Sequence, residues 1–129
     1  MNTKLIMTLS AIFLLSAGIF LTFAPDLMLN FLNLETNQTS LFLIQLIGAL
    51  YFGFGMLNWM NKGRPIGGIY NRPVAISNLC HFMVAGLALL KGITSTDLPF
   101  TIYILAAVYA VFGIAFGIIL FRNPTTDKS

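Results

Sequence analysis

Charge is scarce in this chain. Of 129 residues, 7 are Lys or Arg and 4 are Asp or Glu, 9% in all, against 57% hydrophobic. A soluble domain carries about a quarter charged residues, so a water-soluble globule of this composition would expose large apolar areas and aggregate. The same composition excludes a disordered chain. The single cysteine excludes an internal disulfide framework and a dithiol exchange centre. With one histidine, the chain cannot hold a haem between two histidines, and it lacks the ligands for zinc hydrolysis. No Asp or Glu falls inside the long apolar runs, which excludes a proton-coupled exporter built on a membrane-embedded carboxylate. The expectation is against enzymatic catalysis and against a resident cofactor, unless a partner subunit supplies the missing groups. What remains is an integral membrane protein.

A transmembrane helix needs about 20 predominantly apolar residues. The sequence offers four such runs: Leu5 to Ala24, Leu41 to Met60, Val74 to Leu90, and Leu98 to Phe121. They are continuous rather than alternating, so helices are expected instead of barrel strands. The fourth is the most apolar, worth about −4 to −7 kcal/mol on an insertion scale. The third is short and carries Asn78 and His81, which are costly in hydrocarbon without partners. The expected fold is an all-α, up-and-down four-helix bundle, a single membrane domain over residues 1–129.

The basic residues give an orientation. Lys4, the Lys62/Arg64/Arg72 connection at 61–73 and the Arg122/Lys128 tail lie on one side, leaving Lys91 with Asp26, Glu35 and Asp97 on the other. Six of seven basic residues on one face place both ends in the cytoplasm of a bacterium, with the chain in the inner membrane. The net charge of +3 is explained by topology, and no nucleic-acid footprint is present. The first run is longer than a signal-peptide apolar region, so an uncleaved helix is expected. Asn37-Gln38-Thr39 matches a glycosylation pattern, but lies too close to the second run to be more than a chance match.

Between the first two runs, Leu27, Phe31 and Leu34 fall at i, i+4 and i+7, which predicts a short amphipathic helix over residues 26–35 at the outer interface. The 61–73 connection holds Gly63, Gly67 and Gly68 with Lys62, Arg64 and Arg72. It lacks a nucleotide-binding pattern, and its cations suit anionic lipid headgroups.

Small residues let membrane helices approach closely. Ala106, Ala110, Gly113 and Gly117 form a stripe on the fourth run, suited to internal packing or to a homodimer seam. On the second run Ala49 and Gly53 share one face and Gly48 and Gly55 another, with Ser16, Ala17 and Gly18 on the first run and Ala85, Gly86 and Ala88 on the third. Counting depth at about 1.5 Å per residue sets Asn58 level with Asn78, and His81 one turn deeper on the face of Asn78. These three residues are the candidate ligand-binding cluster; interhelical hydrogen bonding is the plainer role for the same side chains. Cys80 is expected to be a small buried apolar side chain.

The run ending Phe23-Ala24-Pro25-Asp26-Leu27, the Gly48-Ala49-Leu50 and Gly53-Phe54-Gly55 pattern, Asn58-Trp59, the basic connection and the third run opening near Asn78 resemble the DoxX-like group of small bacterial membrane proteins. The resemblance implies a four-helix bundle. Some members are associated with membrane redox complexes and sulfur metabolism, although no catalytic motif of that kind is found here. Three functions follow as expectations. The first is an accessory or scaffold protein acting through membrane partners or as a homo-oligomer. The second is binding or transport of a small, mostly apolar molecule at Asn58, Asn78 and His81. The third is a redox-complex subunit that borrows a cofactor.

Overall fold

A computed structural model of the chain describes residues 1–124; Lys128, counted above with the cytoplasmic basic residues, lies outside them. Five helices follow one another: α1 (Thr3–Phe23), α2 (Pro25–Phe31), α3 (Gln38–Asn61), α4 (Arg72–Ser95) and α5 (Phe100–Phe121). Among the described residues there is no strand, only an isolated bridge between Gly67 and Tyr70. α1, α3, α4 and α5 are each long and apolar enough to cross a membrane. Their outward side chains match that solvent: Leu50 is 73%, Val111 66% and Phe121 84% exposed. The chain is a multi-pass membrane protein.

Two compact units divide these elements, one spanning Met7–Lys62 and the other joining Met1–Ile6 to the chain from Gly63 onward. In the first, α1 and α3 run antiparallel in close contact. An alanine carbon at Gly18 would stand 2.6 Å from the Phe52 nitrogen and 2.9 Å from the Gly48 oxygen, and one at Gly55 would stand 2.8 Å from the Leu15 nitrogen. Gly53, expected at a helix contact, instead meets nothing within 4 Å. The close approach falls on the Gly48/Gly55 face, whose positions are seven residues apart and so nearly in register over two turns.

α2 is shorter than the sequence pattern suggested. Asn33 takes a left-handed conformation with φ 55°. The Leu34 amide donates to the Leu29 oxygen at 2.9 Å and the Asn33 amide to the Asn30 oxygen at 3.1 Å. That pair of bonds is a Schellman stop, and it ends the helix at Phe31. Leu29 turns inward against Leu21 and Ile44, while Leu27 and Phe31 face outward. α3 begins earlier than its apolar run because the Asn37 side chain accepts the Ser40 amide at 2.9 Å, an N-cap.

In the second unit α4 and α5 pack antiparallel around Phe82. Its ring stacks on Phe116 at 5.7 Å between centroids and meets Tyr109 edge-on at 5.2 Å and Phe112 at 4.9 Å. α4 has 24 residues, so the third span is not short. It runs through Lys91 and Gly92 because hydroxyls of Thr94, Ser95 and Thr96 donate to the carbonyls of Lys91 and Gly92, satisfying acceptors that a helix end leaves open. Cys80 is exposed, not buried. Ala75, Asn78 and Phe82 form the buried face, and Cys80 is turned away from it by the 100° step between residues.

The 63–71 connection closes the end of α5. Gly67 (φ +125°) lies so near the Ile119 and Arg122 carbonyl oxygens that a Cβ would collide with both. The Gly68 amide donates to the Leu120 oxygen at 3.0 Å, and Gly67 and Tyr70 exchange amide bonds at 2.9 Å. These amides are spent on the fold, so any anion contact at this connection falls to side chains.

Candidate functional site

The three polar residues singled out from the sequence each make hydrogen bonds within their own unit. Asn58 is fully buried, and its Nδ2 donates to the Ser10 hydroxyl at 3.0 Å. The Ser10 hydroxyl in turn donates to the Met7 carbonyl at 3.0 Å, so the asparagine is tied to the turn that closes on Ser10. Asn78, also fully buried, donates back along its own helix to the Val74 carbonyl at 2.9 Å. His81 shares a helix face with Asn78. Its Nε2 lies 3.2 Å from the Tyr109 hydroxyl, with ring centroids 5.4 Å apart. Among the described residues, no buried side-chain nitrogen or oxygen lacks a partner. The Asn58–Ser10 and His81–Tyr109 bonds are interhelical ties, worth about 0.6 kcal/mol each and up to about 1.7, whereas the Asn78 bond stays within α4.

Sequence reasoning missed Tyr109 as a partner. A tyrosine in the middle of an apolar run carries a hydroxyl that must be bonded when buried, and that was the available signal. Gln45, isolated in the sequence, donates from Nε2 to the Thr22 carbonyl at 3.3 Å, a second polar tie between α3 and α1.

The small residues of α5 take different parts. A Cβ at Gly113 would meet Phe82 and Met83 backbone at 3.8 Å, and one at Gly117 would meet Leu79 Cδ1 at 3.7 Å, so both lie against α4. Ala106, Ala110 and Gly113, with Gly86 of α4, also line an outward groove of about 190 Å³ walled by Leu87, Leu90 and Ile114, which Gly117 does not reach. A second apolar groove of about 340 Å³ runs over Gly18 and Ala49 between Thr22 and Phe52. Neither groove brings charged side chains together.

The cations are also divided. The Lys62 ammonium sits 3.0 Å from the centre of the Trp59 ring, a cation–π contact. Arg72 opens α4 and is exposed. Arg64 faces a cleft shared with Lys4. Among the described residues no three His, Cys, Asp or Glu side chains converge as metal ligands would. No protein-family model matches the chain, and comparison with curated proteins and with solved structures found no match either.

Proposed function

We propose that this is an accessory, scaffold-like membrane protein that works through contacts of its lipid-facing helices with a membrane partner or a second copy. It would sit in a bacterial inner membrane as a four-helix bundle of the DoxX-like kind, with both ends cytoplasmic and α2 at the outer interface. The observation that carries the reading is the α4–α5 groove. Its floor of Gly86, Ala106 and Ala110 offers the small residues that a partner helix needs for close approach. At about 190 Å³ it falls below the roughly 300–1,000 Å³ typical of small-molecule pockets. A specific ligand site also has a few convergent polar groups, and here the Asn and His side chains hydrogen-bond to Ser10, the Val74 carbonyl and Tyr109 instead.

The test is gentle detergent extraction of the native protein, with native electrophoresis and mass spectrometry of everything bound. A discrete complex or homo-oligomer is expected. Ala110→Leu, which fills the groove, should reduce its yield by about tenfold, a loss of about 1.4 kcal/mol. Ala107→Leu, an equal enlargement outside the groove lining, should leave it intact. A protein recovered alone and monomeric, or a complex indifferent to Ala110→Leu, contradicts the reading. A stoichiometric small apolar molecule lost on His81→Ala would support the binding alternative in its place.

A further inference from the structure

The 63–71 connection contains a tight turn, with Gly68 and Ile69 at its tip between Gly67 and Tyr70. Ile69 is 81% exposed, whereas Ile66, three residues earlier, is 2% exposed. An isoleucine side chain left in water forgoes about 1.5–3 kcal/mol of burial. The tip is not free to fold back and recover it. The Gly68 amide is bonded to the Leu120 oxygen at 3.0 Å, and Gly67 is pressed against the Ile119 and Arg122 carbonyls. Those contacts also fix the depth of the turn. α5 has 22 residues, about 33 Å of helix at 1.5 Å per residue, slightly more than the hydrocarbon core of about 30 Å. Its last turn, which holds Leu120, therefore reaches the boundary between acyl chains and headgroups. Phe121, next to it, is 84% exposed and suited to lipid.

The backbone of the turn is suited to the same place. Polar backbone groups that are not bonded within the protein become costly where water thins out. Here the Gly67, Gly68 and Tyr70 amides and the Gly67 and Tyr70 carbonyls are bonded within the turn or to α5. Pro65 has no amide to satisfy, and its carbonyl accepts Asn71 Nδ2 at 3.1 Å. Tyr70 is an exposed aromatic of the kind found at membrane interfaces, and Arg72, two residues on, is exposed and suited to anionic headgroups. We infer that the 67–70 turn is a lipid-binding wedge, with Ile69 inserted among the acyl chains at the membrane boundary, fastening the connection to the bilayer beside the end of α5. The inference rests on α5 as a membrane span and is independent of which partner the lipid-facing helices meet.

The experiment uses the full chain in vesicles of equal parts phosphatidylcholine and phosphatidylglycerol. In a Cys80→Ala background a nitroxide label is attached to Ile69→Cys, Phe121→Cys or Gly63→Cys, one at a time. Spin resonance then compares its collisions with oxygen, which concentrates in lipid, and with a water-soluble nickel chelate. All three positions are exposed, so the label is accommodated without disturbing the fold. The Ile69→Cys label should meet oxygen more than nickel, as the Phe121→Cys label does, with the order reversed at Gly63→Cys. The same label sits at all three sites, so its own affinity for lipid cannot produce that difference. The inference is overturned if the Ile69→Cys label meets nickel as readily as the Gly63→Cys label, which would put the tip in water. It is equally overturned if neither reagent reaches the label, which would mean that protein covers the tip, or if the Phe121→Cys label itself lies in water.

Discussion

Replacing Gly18 with alanine is expected to destabilise the Met7–Lys62 unit by about 1–3 kcal/mol, and replacement with leucine by more. The added carbon would stand 2.6 Å from the Phe52 nitrogen and 2.9 Å from the Gly48 oxygen. Both are backbone atoms of α3, so relief requires the helices to separate. Gly48→Ala meets the same wall from the other side, with Thr22 Oγ1 at 2.5 Å and the Gly18 oxygen at 3.0 Å. Alanine improves helix propensity over glycine by about 0.8–1.0 kcal/mol, too little to offset the collision. Gly53→Ala provides the internal contrast, because nothing lies within 4 Å of its added carbon. There the propensity gain stands alone, and a neutral or slightly stabilising result is expected. Unfolding in mixed detergent micelles, with the three variants compared under one condition, checks the order.

Gly67→Ala should be comparably damaging, for two reasons that add. At φ +125° the backbone occupies a region that residues with a side chain rarely adopt, a strain of about 1–3 kcal/mol. The new methyl would also collide with the Ile119 and Arg122 carbonyl oxygens. The expected outcome is release of the 63–71 connection from the end of α5, seen as faster hydrogen exchange at the Gly68 and Tyr70 amides. Gly68→Ala should cost less, about 1–2 kcal/mol. Its φ of +57° is the milder left-handed region, and the nearest atoms to an added carbon are 3.6 Å away. Equal exchange rates in both variants would contradict this account of the connection.

The four long helices were legible because hydrocarbon as solvent demands continuous apolar runs, and nothing else in the chain produces them. Their ends were less so, because helix ends answer to local hydrogen bonds. Asn37 starts α3 and Asn33 stops α2 through bonds that apolar periodicity does not register. α4 outlasts its apolar stretch because hydroxyls near its end satisfy its last carbonyls. The polar residues of the candidate site were found by depth, yet depth alone does not name a partner. Ser10 and Tyr109 supply the hydrogen bonds, and each depends on how a helix is rotated about its axis. The same rotation decided the glycines, setting Gly55 against α1 and leaving Gly53 open. Gly67 and Gly68 stood in the sequence only as glycines among cations, and nothing in their spacing showed that the amides of this turn close the end of α5.

The central claim is that hydrocarbon surrounds this chain and that it crosses the bilayer four times. The most direct measurement is labelling of single cysteines by a membrane-impermeant maleimide in intact cells. Cys80→Ala serves as background, with Glu35→Cys, Gly63→Cys and Asp97→Cys introduced one at a time. The expected result is a membrane-bound protein labelled from outside in the Glu35→Cys and Asp97→Cys variants, with the Gly63→Cys variant labelled only after the membrane is opened. Labelling of all three from the same side, or recovery of the folded protein from the soluble fraction, would contradict it.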